Sequence, residues 1–266
     1  MSTYTSMSYR AVASRYNAIN ALPPQAALRI GRAIARYAGG QLLLDLGAGA
    51  GRLGIPAVLA GCRVVALDLE LAMLCAGRSE AELQAAELPS IQADAVHLPL
   101  RDECFAAVMI NNLLHLVPAW ESVLVEAVRV MRPGGVLIQG RDWLDPQSCA
   151  GRIRAQWREV VASLQPDMRP TTAAGPALAR TLAHMGGQIE PEIIAAEWTE
   201  CLSPARILHR MRHRLHNETW SLDDELLSAG LAVLEPWVRS TFADVHAEED
   251  VTWRFMLTAT NGLKRP

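Results

Sequence analysis

The chain has 266 residues, of which half are hydrophobic and a fifth are charged, a balance that is typical of a globular enzyme. The formal net charge of −3 excludes the strongly basic surface with which proteins attract nucleic acid or anionic membranes. The sequence has no apolar run close to the roughly 20 residues that span a bilayer, and its start, MSTYTSMSYR, lacks the apolar core of a signal peptide. We therefore expect one cytoplasmic domain over residues 1–266, with neither nucleic acid nor membrane as a partner.

The first predicted elements are helices. Residues 1–40 have helical spacing of apolar side chains, with a break at Leu22-Pro23-Pro24 and a stop at Gly39-Gly40. We expect this segment to form an N-terminal helical cap.

Strands and helices then alternate from Gln41 to Gly140. Short and nearly continuous apolar runs are typical of strands that are buried on both faces of a parallel sheet. The alternation predicts a doubly wound α/β sheet. The predicted strands are QLLLDLG, CRVVALDL, a short strand near Ile91, FAAVMINNLLHL and RPGGVLIQG.

The pattern changes after Gly140. Residues 141–187 and 203–242 are predicted to be mostly helical, QIEPEIIAAEWTE between them is predicted to be a sixth strand, and VTWRFMLTAT a final one. Six of the seven tryptophans follow Gly140. We expect the two helical segments to form a cover over a substrate.

The segment LLLDLGAGAGRLG, residues 42–54, contains two overlapping glycine patterns. Gly49-x-Gly51-x-x-Gly54 is the pattern that holds a dinucleotide pyrophosphate. The alternative pattern starts from Asp45, which would lie at the carboxyl end of the first strand, beside the glycines. In the dinucleotide pattern, Asp45 would instead fall in the interior of a buried strand, where a carboxylate needs a partner to offset its desolvation. S-adenosylmethionine carries an ammonium and a sulfonium, so Asp45 favours that cofactor over a dinucleotide.

Two further acids follow the next two strands. Asp68 ends the second strand, where it could accept hydrogen bonds from ribose hydroxyls of either cofactor. Asp94 follows the third strand, where it could accept from an adenine amino group while the Ala95 N–H reaches the ring. Together with Asp45 they line one carboxyl edge of the sheet, which is where open α/β sheets bind ligands.

These segments resemble the class I, seven-stranded S-adenosylmethionine-dependent methyltransferases in their small-molecule branch. The resemblance covers Tyr9 to Gly140, and beyond it only the general layout is similar. It implies a doubly wound, mostly parallel seven-stranded sheet with an antiparallel C-terminal strand and an inserted helical lid. One departure is Ala106 after Phe105, where the family often has an acid. The matching segments are LLLDLGAGAGRLG, VVALDLE, IQADAVHLPL, NNLLHL and EAVRVMRPGGVLI.

The resemblance also implies roles for individual residues. The residues expected to bind S-adenosylmethionine are Tyr16, Asp45, Gly47, Ala48, Gly49, Gly51, Asp68, Leu69, Asp94, Ala95 and Asn111. His115 and Asp142 are candidates for catalysis, although His115 could instead cap a helix and Asp142 could be a solvated loop acid. Tyr9 and Trp143 are candidates for binding the substrate.

The histidines at 209, 213 and 216 have the spacing of one helical face, which would allow a metal site. Arginines interleave with them, so we expect a solvated basic face and no metal. The sequence therefore predicts methyl transfer from S-adenosylmethionine to a mostly apolar acceptor of metabolite size. A noncatalytic cofactor-binding or scaffold protein and an NAD-dependent oxidoreductase remain as alternatives.

Overall fold

The computed structural model describes residues 9–165, 175–220 and 222–265, and the side chains of Arg10, Ala11, Val12 and Ser14 are outside that description. Parts of the predicted segments 1–40 and 141–187, namely residues 1–8 and 166–174, therefore lie outside the described residues. The helices are α1 (Tyr9–Asn20), α2 (Pro24–Ala38), α3 (Gly54–Leu59), α4 (Leu71–Leu83), α5 (Trp120–Val130), α6 (Cys149–Leu164), α7 (Pro176–His184), α8 (Pro204–Arg212) and α9 (Asp224–Thr241). Short 3₁₀ helices span Leu114–Leu116 and Asn217–Thr219.

The strands form one sheet. They are β1 (Leu42–Leu46), β2 (Arg63–Asp68), β3 (Ser90–Gln92), β4 (Phe105–Asn111), β5 (Met131–Leu144), β6 (Gln188–Ile189), β7 (Ile193–Leu202) and β8 (Glu249–Asn261). Their order is β3-β2-β1-β4-β5-β8-β6, and β7 also pairs with β8. The pairs from β3 through β5 are parallel, whereas β6 and β8 are antiparallel. The expected doubly wound sheet with an antiparallel C-terminal strand is confirmed.

The described residues contain eight strands rather than the expected seven. The difference arises in the predicted sixth strand, QIEPEIIAAEWTE, which is divided into β6 and β7. Pro191 lies between them, and a proline has no N–H to donate to a ladder. The sheet also extends further than predicted at β5, which continues past Gly140 to Leu144.

The chain order within the sheet reverses at β1. From β1 the chain moves outward through β2 and β3, and it then returns to place β4 on the other side of β1. A ligand crevice forms at such a reversal, outside the carboxyl ends of the strands. Leu43, Leu44 and Leu46 of β1 have no exposed surface, as expected for a strand that is covered on both faces.

The chain forms two compact units. The first consists of the described residues within 1–141, 171–196 and 255–266, and the second of those within 142–170 and 197–254. The core of the first unit includes Val108 of β4 with Val123 and Leu124 of α5, none of which has exposed surface.

The second unit has its own core around Trp157 of α6, which is 1% exposed. A Cβ on Gly230 of α9 would lie 2.8 Å from the Trp157 ring, so the glycine allows the two helices to approach. The helices expected within 203–242 are present as α8 and α9. The role of the segments 141–187 and 203–242 as a substrate cover stays a prediction.

Candidate functional site

A cavity of about 560 Å³ lies in the first unit, where the loops that follow β1, β2, β3 and β4 meet residues of α1 and α4. This is the carboxyl edge at which the sequence predicted a site. The lining residues are Tyr9, Tyr16, Asp45, Gly47, Ala48, Gly49, Arg52, Leu53, Leu67, Asp68, Leu69, Glu70, Met73, Ala93, Asp94, Ala95, Asn111, Asn112, Leu113, Leu116 and Val117.

Residues 47–53, between β1 and α3, form what we call the glycine loop. Its first position requires glycine for two reasons. Gly47 has a φ of 77°, a left-handed conformation that residues with a Cβ rarely adopt. A Cβ on Gly47 would also lie 3.0 Å from the side chain of Leu113. The backbone N–H groups of Gly47 and Ala48 both donate to the Leu67 carbonyl, at 2.8 and 3.0 Å. The loop is therefore held between the end of β2 and the loop after β4.

Asp68 fixes the other side of the glycine loop. Its Oδ2 accepts from the Gly49 N–H at 2.8 Å and its Oδ1 accepts from the Glu70 N–H at 2.9 Å. Burial raises the pKa of Asp68, while these hydrogen bonds lower it. A carboxylate offers about four acceptor positions, so Asp68 retains capacity for hydroxyl donors from a ligand.

Asp45 is the most deeply buried acid of the cavity wall, with 3% of its surface exposed. Its Oδ2 has no hydrogen-bond partner among the described residues, and the same holds for the buried Oδ1 of Asn111. Burial and the nearby Asp68 raise the pKa of Asp45 to about 7, although the Gly54 N–H opposes this shift. Two residues of the cavity lining therefore each carry a buried acceptor atom without a partner among the described residues.

Helix α1 closes one side of the cavity with Tyr9 and Tyr16. Two hydrogen bonds attach the helix to the glycine loop. Asn17 Nδ2 donates to the Ala50 carbonyl at 3.2 Å, and Arg52 Nε donates to the Asn20 carbonyl at 3.0 Å. Burial, with contributions from Tyr16 and Asp68, raises the pKa of Tyr9, so the phenol stays protonated at neutral pH.

Because α1 contributes to the cavity wall, a ligand in the cavity should stabilise it. We expect amide hydrogen exchange across residues 9–20 to slow when S-adenosylhomocysteine is added. Mass spectrometry of peptides from α1 measures this effect, and peptides from α9 in the second unit serve as the internal comparison. Equal protection of α1 with and without a saturating ligand would contradict the prediction.

The sequence-based site residues fall into two groups in the structure. Those that line the cavity are Tyr9, Tyr16, Asp45, Gly47, Ala48, Gly49, Asp68, Leu69, Asp94, Ala95 and Asn111. Those outside the lining are Gly51, His115, Asp142 and Trp143. A Cβ on Gly51 would meet Ile55 and Leu88, which means that this glycine serves the turn toward α3.

The two catalytic candidates lie in different units. His115 is the middle residue of the 3₁₀ helix Leu114–Leu116, which follows β4. Of these three residues, only Leu116 lines the cavity. Partial burial lowers the pKa of His115. Asp142 and Trp143 belong to the second unit. There the Arg254 guanidinium lies 4.6 Å from the centroid of the Trp143 ring.

Sequence reasoning missed several lining residues. Glu70, Asn112 and Leu113 directly follow predicted residues, so extending each strand-end loop by one or two positions would have found them. Arg52 likewise follows the predicted Gly51, whereas Met73 gave no such signal. A Cβ on Gly49 would lie 3.2 Å from Met73 Cε, a contact that arises only when α4 packs on the glycine loop.

The expectation of a solvated face for all three histidines is wrong for His216. Helix α8 ends at Arg212, and His216 lies in the segment that follows it. Burial and the nearby Arg154 lower the pKa of His216 to about 4, and its Nδ1 is buried. The rings of His209 and His213 lie 4.3 Å apart. Within residues 9–165, 175–220 and 222–265, no group of three or more His, Cys, Asp or Glu side chains could hold a metal ion.

Among the helices that the structure describes, none has the length and apolar character that crossing a membrane requires.

Comparison with known proteins connects the first unit to one family. Residues 44–139 match the family model described as a methyltransferase domain. Demethylmenaquinone methyltransferase from Mycobacterium tuberculosis is 36% identical over 110 residues, which are 41% of this chain and 44% of the relative. The chain thus spans less than half the length of this curated relative.

Solved structures show the same fold over more of the chain. The cyclase SpnF has a TM-score of 0.58 at 16% identity, covering 96% of this chain and 94% of that protein. Geranyl diphosphate C-methyltransferase from Streptomyces coelicolor, in complex with Mg²⁺, geranyl diphosphate and S-adenosylhomocysteine, has a TM-score of 0.51 at 15% identity, covering 88% and 78%. The fold expected from the resemblance is confirmed.

Proposed function

We propose that this chain, in which residues 44–139 form a methyltransferase domain, transfers a methyl group from S-adenosylmethionine to a small organic molecule. The observation that carries the proposal is the cavity at the carboxyl edge of the sheet. There the glycine loop, the acids after β1, β2 and β3 and the amide of Asn111 line one space.

The donor set of the cavity fits this cofactor. S-adenosylmethionine supplies an electrophilic methyl group on a positively charged sulfur, and it also carries an ammonium group. The lining contains four acids and one arginine among the described residues, and an excess of acids favours a positive ligand. The unpartnered oxygens of Asp45 and Asn111 suit the N–H donors of an ammonium. The glycine loop leaves its backbone open to close approach.

The remaining lining residues suit the nucleoside part. Asp68 has acceptor positions left for the ribose hydroxyls, and Leu69 offers an apolar face to adenine. Asp94 accepts from the Val96 N–H at 3.1 Å through Oδ1, and we assign the adenine amino group to its carboxylate. We assign the Ala95 N–H to the adenine edge, because Ala95 also lines the cavity. These four assignments are part of the proposal.

The chain contributes to catalysis mainly by holding the two reactants in place. Methyl transfer is an in-line substitution, for which proximity, orientation and exclusion of water supply most of the acceleration. Tyr9 and Tyr16 of α1 cover the cavity. A nucleophile that is an anion or a neutral amine needs no base. Where one is needed, His115 is the candidate in the first unit, because its lowered pKa keeps the imidazole neutral at pH 7. Asp142 stays the second candidate.

The proposed acceptor is a mostly apolar molecule of metabolite size. Leu113, Leu116 and Val117 give the cavity an apolar wall, in the manner of small-molecule sites. The names of two similar proteins, a demethylmenaquinone methyltransferase and a geranyl diphosphate C-methyltransferase, support the same class. The net charge of −3 supports an acceptor other than nucleic acid, and a cytoplasmic location is part of the proposal.

The dinucleotide alternative is weaker than the proposal. It would use Gly49, Gly51 and Gly54 to hold a pyrophosphate at the start of a helix. Only Gly49 lines the cavity, and α3, which starts at Gly54, has six residues.

Calorimetric titration tests the cofactor. We expect binding of S-adenosylmethionine and S-adenosylhomocysteine and no binding of NAD. Binding of NAD without either adenosyl compound would overturn the proposal in favour of an oxidoreductase. Transfer of a labelled methyl group to a panel of phenols, isoprenoid diphosphates and amines then tests for catalysis. Cofactor binding without any transfer on a wide panel would favour the noncatalytic alternative.

Trp143 tests whether the second unit takes part in binding the acceptor. We expect Trp143→Ala to lower kcat/KM for the acceptor roughly tenfold, about 1.4 kcal/mol, with the affinity for S-adenosylhomocysteine nearly unchanged. Trp237→Ala, which removes another indole from the second unit, is the matched control and should affect both little. Loss of cofactor and acceptor binding together in Trp143→Ala would make Trp143 a structural residue.

A further inference from the structure

Burial and the nearby Asp68 disfavour the negative charge of the Asp45 carboxyl group. It lies at the end of β1 with 3% of its surface exposed, and its Oδ2 has no partner among the described residues. The other charged groups of the lining are the acids Asp68, Glu70 and Asp94 and the cation Arg52. Arg52 donates through Nε to the Asn20 carbonyl, and its guanidinium lies 5.7 Å from the centroid of the Phe255 ring.

The two acids closest to the glycine loop differ in how the protein stabilises their charge. Both oxygens of Asp68 accept a backbone N–H, from Gly49 and from Glu70, and such bonds favour the ionised form. For Asp45, one backbone N–H, that of Gly54, lowers the pKa of the carboxyl group. A nearby carboxylate raises the pKa of a buried carboxyl group, and Asp68 has this effect on Asp45. The hydrogen bonds assign the charge to Asp68 and the proton to Asp45. The phenols of Tyr9 and Tyr16 also line the cavity.

We infer that Asp45 selects the cationic ligand by proton exchange: it is protonated in the free protein and releases its proton when the ammonium group of a ligand binds beside it. The O–H bond of the carboxyl group breaks, the proton passes to the buffer, and an N–H of the ligand donates to the resulting carboxylate. The identity of the ligand rests on the proposed function, whereas the protonation of Asp45 rests on this chain alone.

The exchange gives ligand affinity a defined dependence on pH. Burial and Asp68 raise the pKa of Asp45 to about 7 in the free protein, and a bound ammonium would lower it. Affinity should therefore rise with pH, by up to about tenfold per unit, while Asp45 is protonated, and become constant once Asp45 is ionised. The window is pH 6 to 8, in which the ammonium of the ligand keeps its charge.

Calorimetry with S-adenosylhomocysteine in buffers of different ionisation enthalpy tests the exchange. The dependence of the observed heat on the buffer gives the number of protons released. We expect release of about half a proton at pH 7, more at pH 6 and close to none at pH 8.5. Methylthioadenosine, which lacks the ammonium, should bind without release. Absence of any binding heat would count against the proposed function, whereas binding heat that is the same in every buffer would overturn the inference.

Asp45→Asn is the matched variant, because it keeps the shape of the side chain and removes the titrating group. We expect it to abolish proton release and to make the affinity independent of pH from 6 to 8. If the variant binds the ligand too weakly for calorimetry, the stability of the two ligand-free proteins is measured by urea denaturation instead. The wild type should lose stability relative to Asp45→Asn as the pH rises from 5.5 to 8, since ionising a group whose folded pKa is raised costs stability. Release that persists in the variant, or stability curves that stay parallel, would assign the proton to another group.

Discussion

Asp68→Ala is expected to lower the affinity of the chain for S-adenosylhomocysteine at least tenfold. Hydrogen bonds to a charged group contribute about 1.5–3 kcal/mol each, and about 1.4 kcal/mol corresponds to a factor of ten. The variant would lose the ribose contacts and also the clamp on the Gly49 N–H, and both losses act in the same direction. Calorimetric titration measures the effect.

A ligand analogue separates the two roles of Asp68. Removing one ribose hydroxyl from S-adenosylhomocysteine should weaken binding to the wild type but cause no further loss in Asp68→Ala. Glu70→Ala, which removes a neighbouring acid of the lining, controls for charge and should have a smaller effect. An equal loss from the missing hydroxyl in the wild type and in Asp68→Ala would mean that Asp68 only holds the loop. A loss below threefold in Asp68→Ala would show that neither role matters.

Gly47→Ala is the second substitution with a large expected effect. The left-handed backbone at φ 77° costs a residue with a Cβ about 1 kcal/mol or more, and the added Cβ would lie 3.0 Å from three atoms of Leu113. Either the glycine loop or Leu113 must move, and both line the cavity. We expect the affinity for S-adenosylhomocysteine to fall between about tenfold and a hundredfold.

Two further variants separate the cost of the left-handed backbone from the effect of the contact between the added Cβ and Leu113. Gly39→Ala has a comparable left-handed backbone, with φ 59° and ψ 28°, and nothing lies within 4 Å of the added Cβ. It should lower the stability of the protein by about 1 kcal/mol and leave ligand affinity unchanged. Adding Leu113→Ala to Gly47→Ala should recover part of the lost affinity. Binding of the single Gly47→Ala variant at the strength of the wild type would contradict the close approach.

The sequence predicted the parallel half of the sheet because each element there has a local signature. The apolar runs of β1, β2 and β4 have the length of buried strands, and Asp45, Asp68 and Asp94 mark the carboxyl ends of β1, β2 and β3. Since parallel strands end at the same edge, three separate positions in the sequence predicted one cavity wall. The prediction needed only the alternation of strands and helices.

The parts that sequence reasoning missed depend on contacts between distant segments. Met73 enters the cavity wall because α4 packs on the glycine loop, a contact that no local pattern encodes. The proline that divides β6 from β7 was visible in the sequence, yet only the pairing of both pieces with β8 shows where each strand ends. The prediction that the three histidines share one helical face is wrong for His216, because α8 ends before that residue.

The same pairing of β8 constrains how the chain can be made. β8 lies between β5 and β6 and also pairs with β7, and all three are synthesised before it. The strands from β3 to β5 can pair before synthesis is complete. The outer edge of β5 and the strands β6 and β7 stay without their partner strand until β8 is synthesised. Unpaired strand edges recruit other chains. Chains that stop before residue 249 should therefore aggregate and need chaperones, rather than persist as a smaller methyltransferase domain.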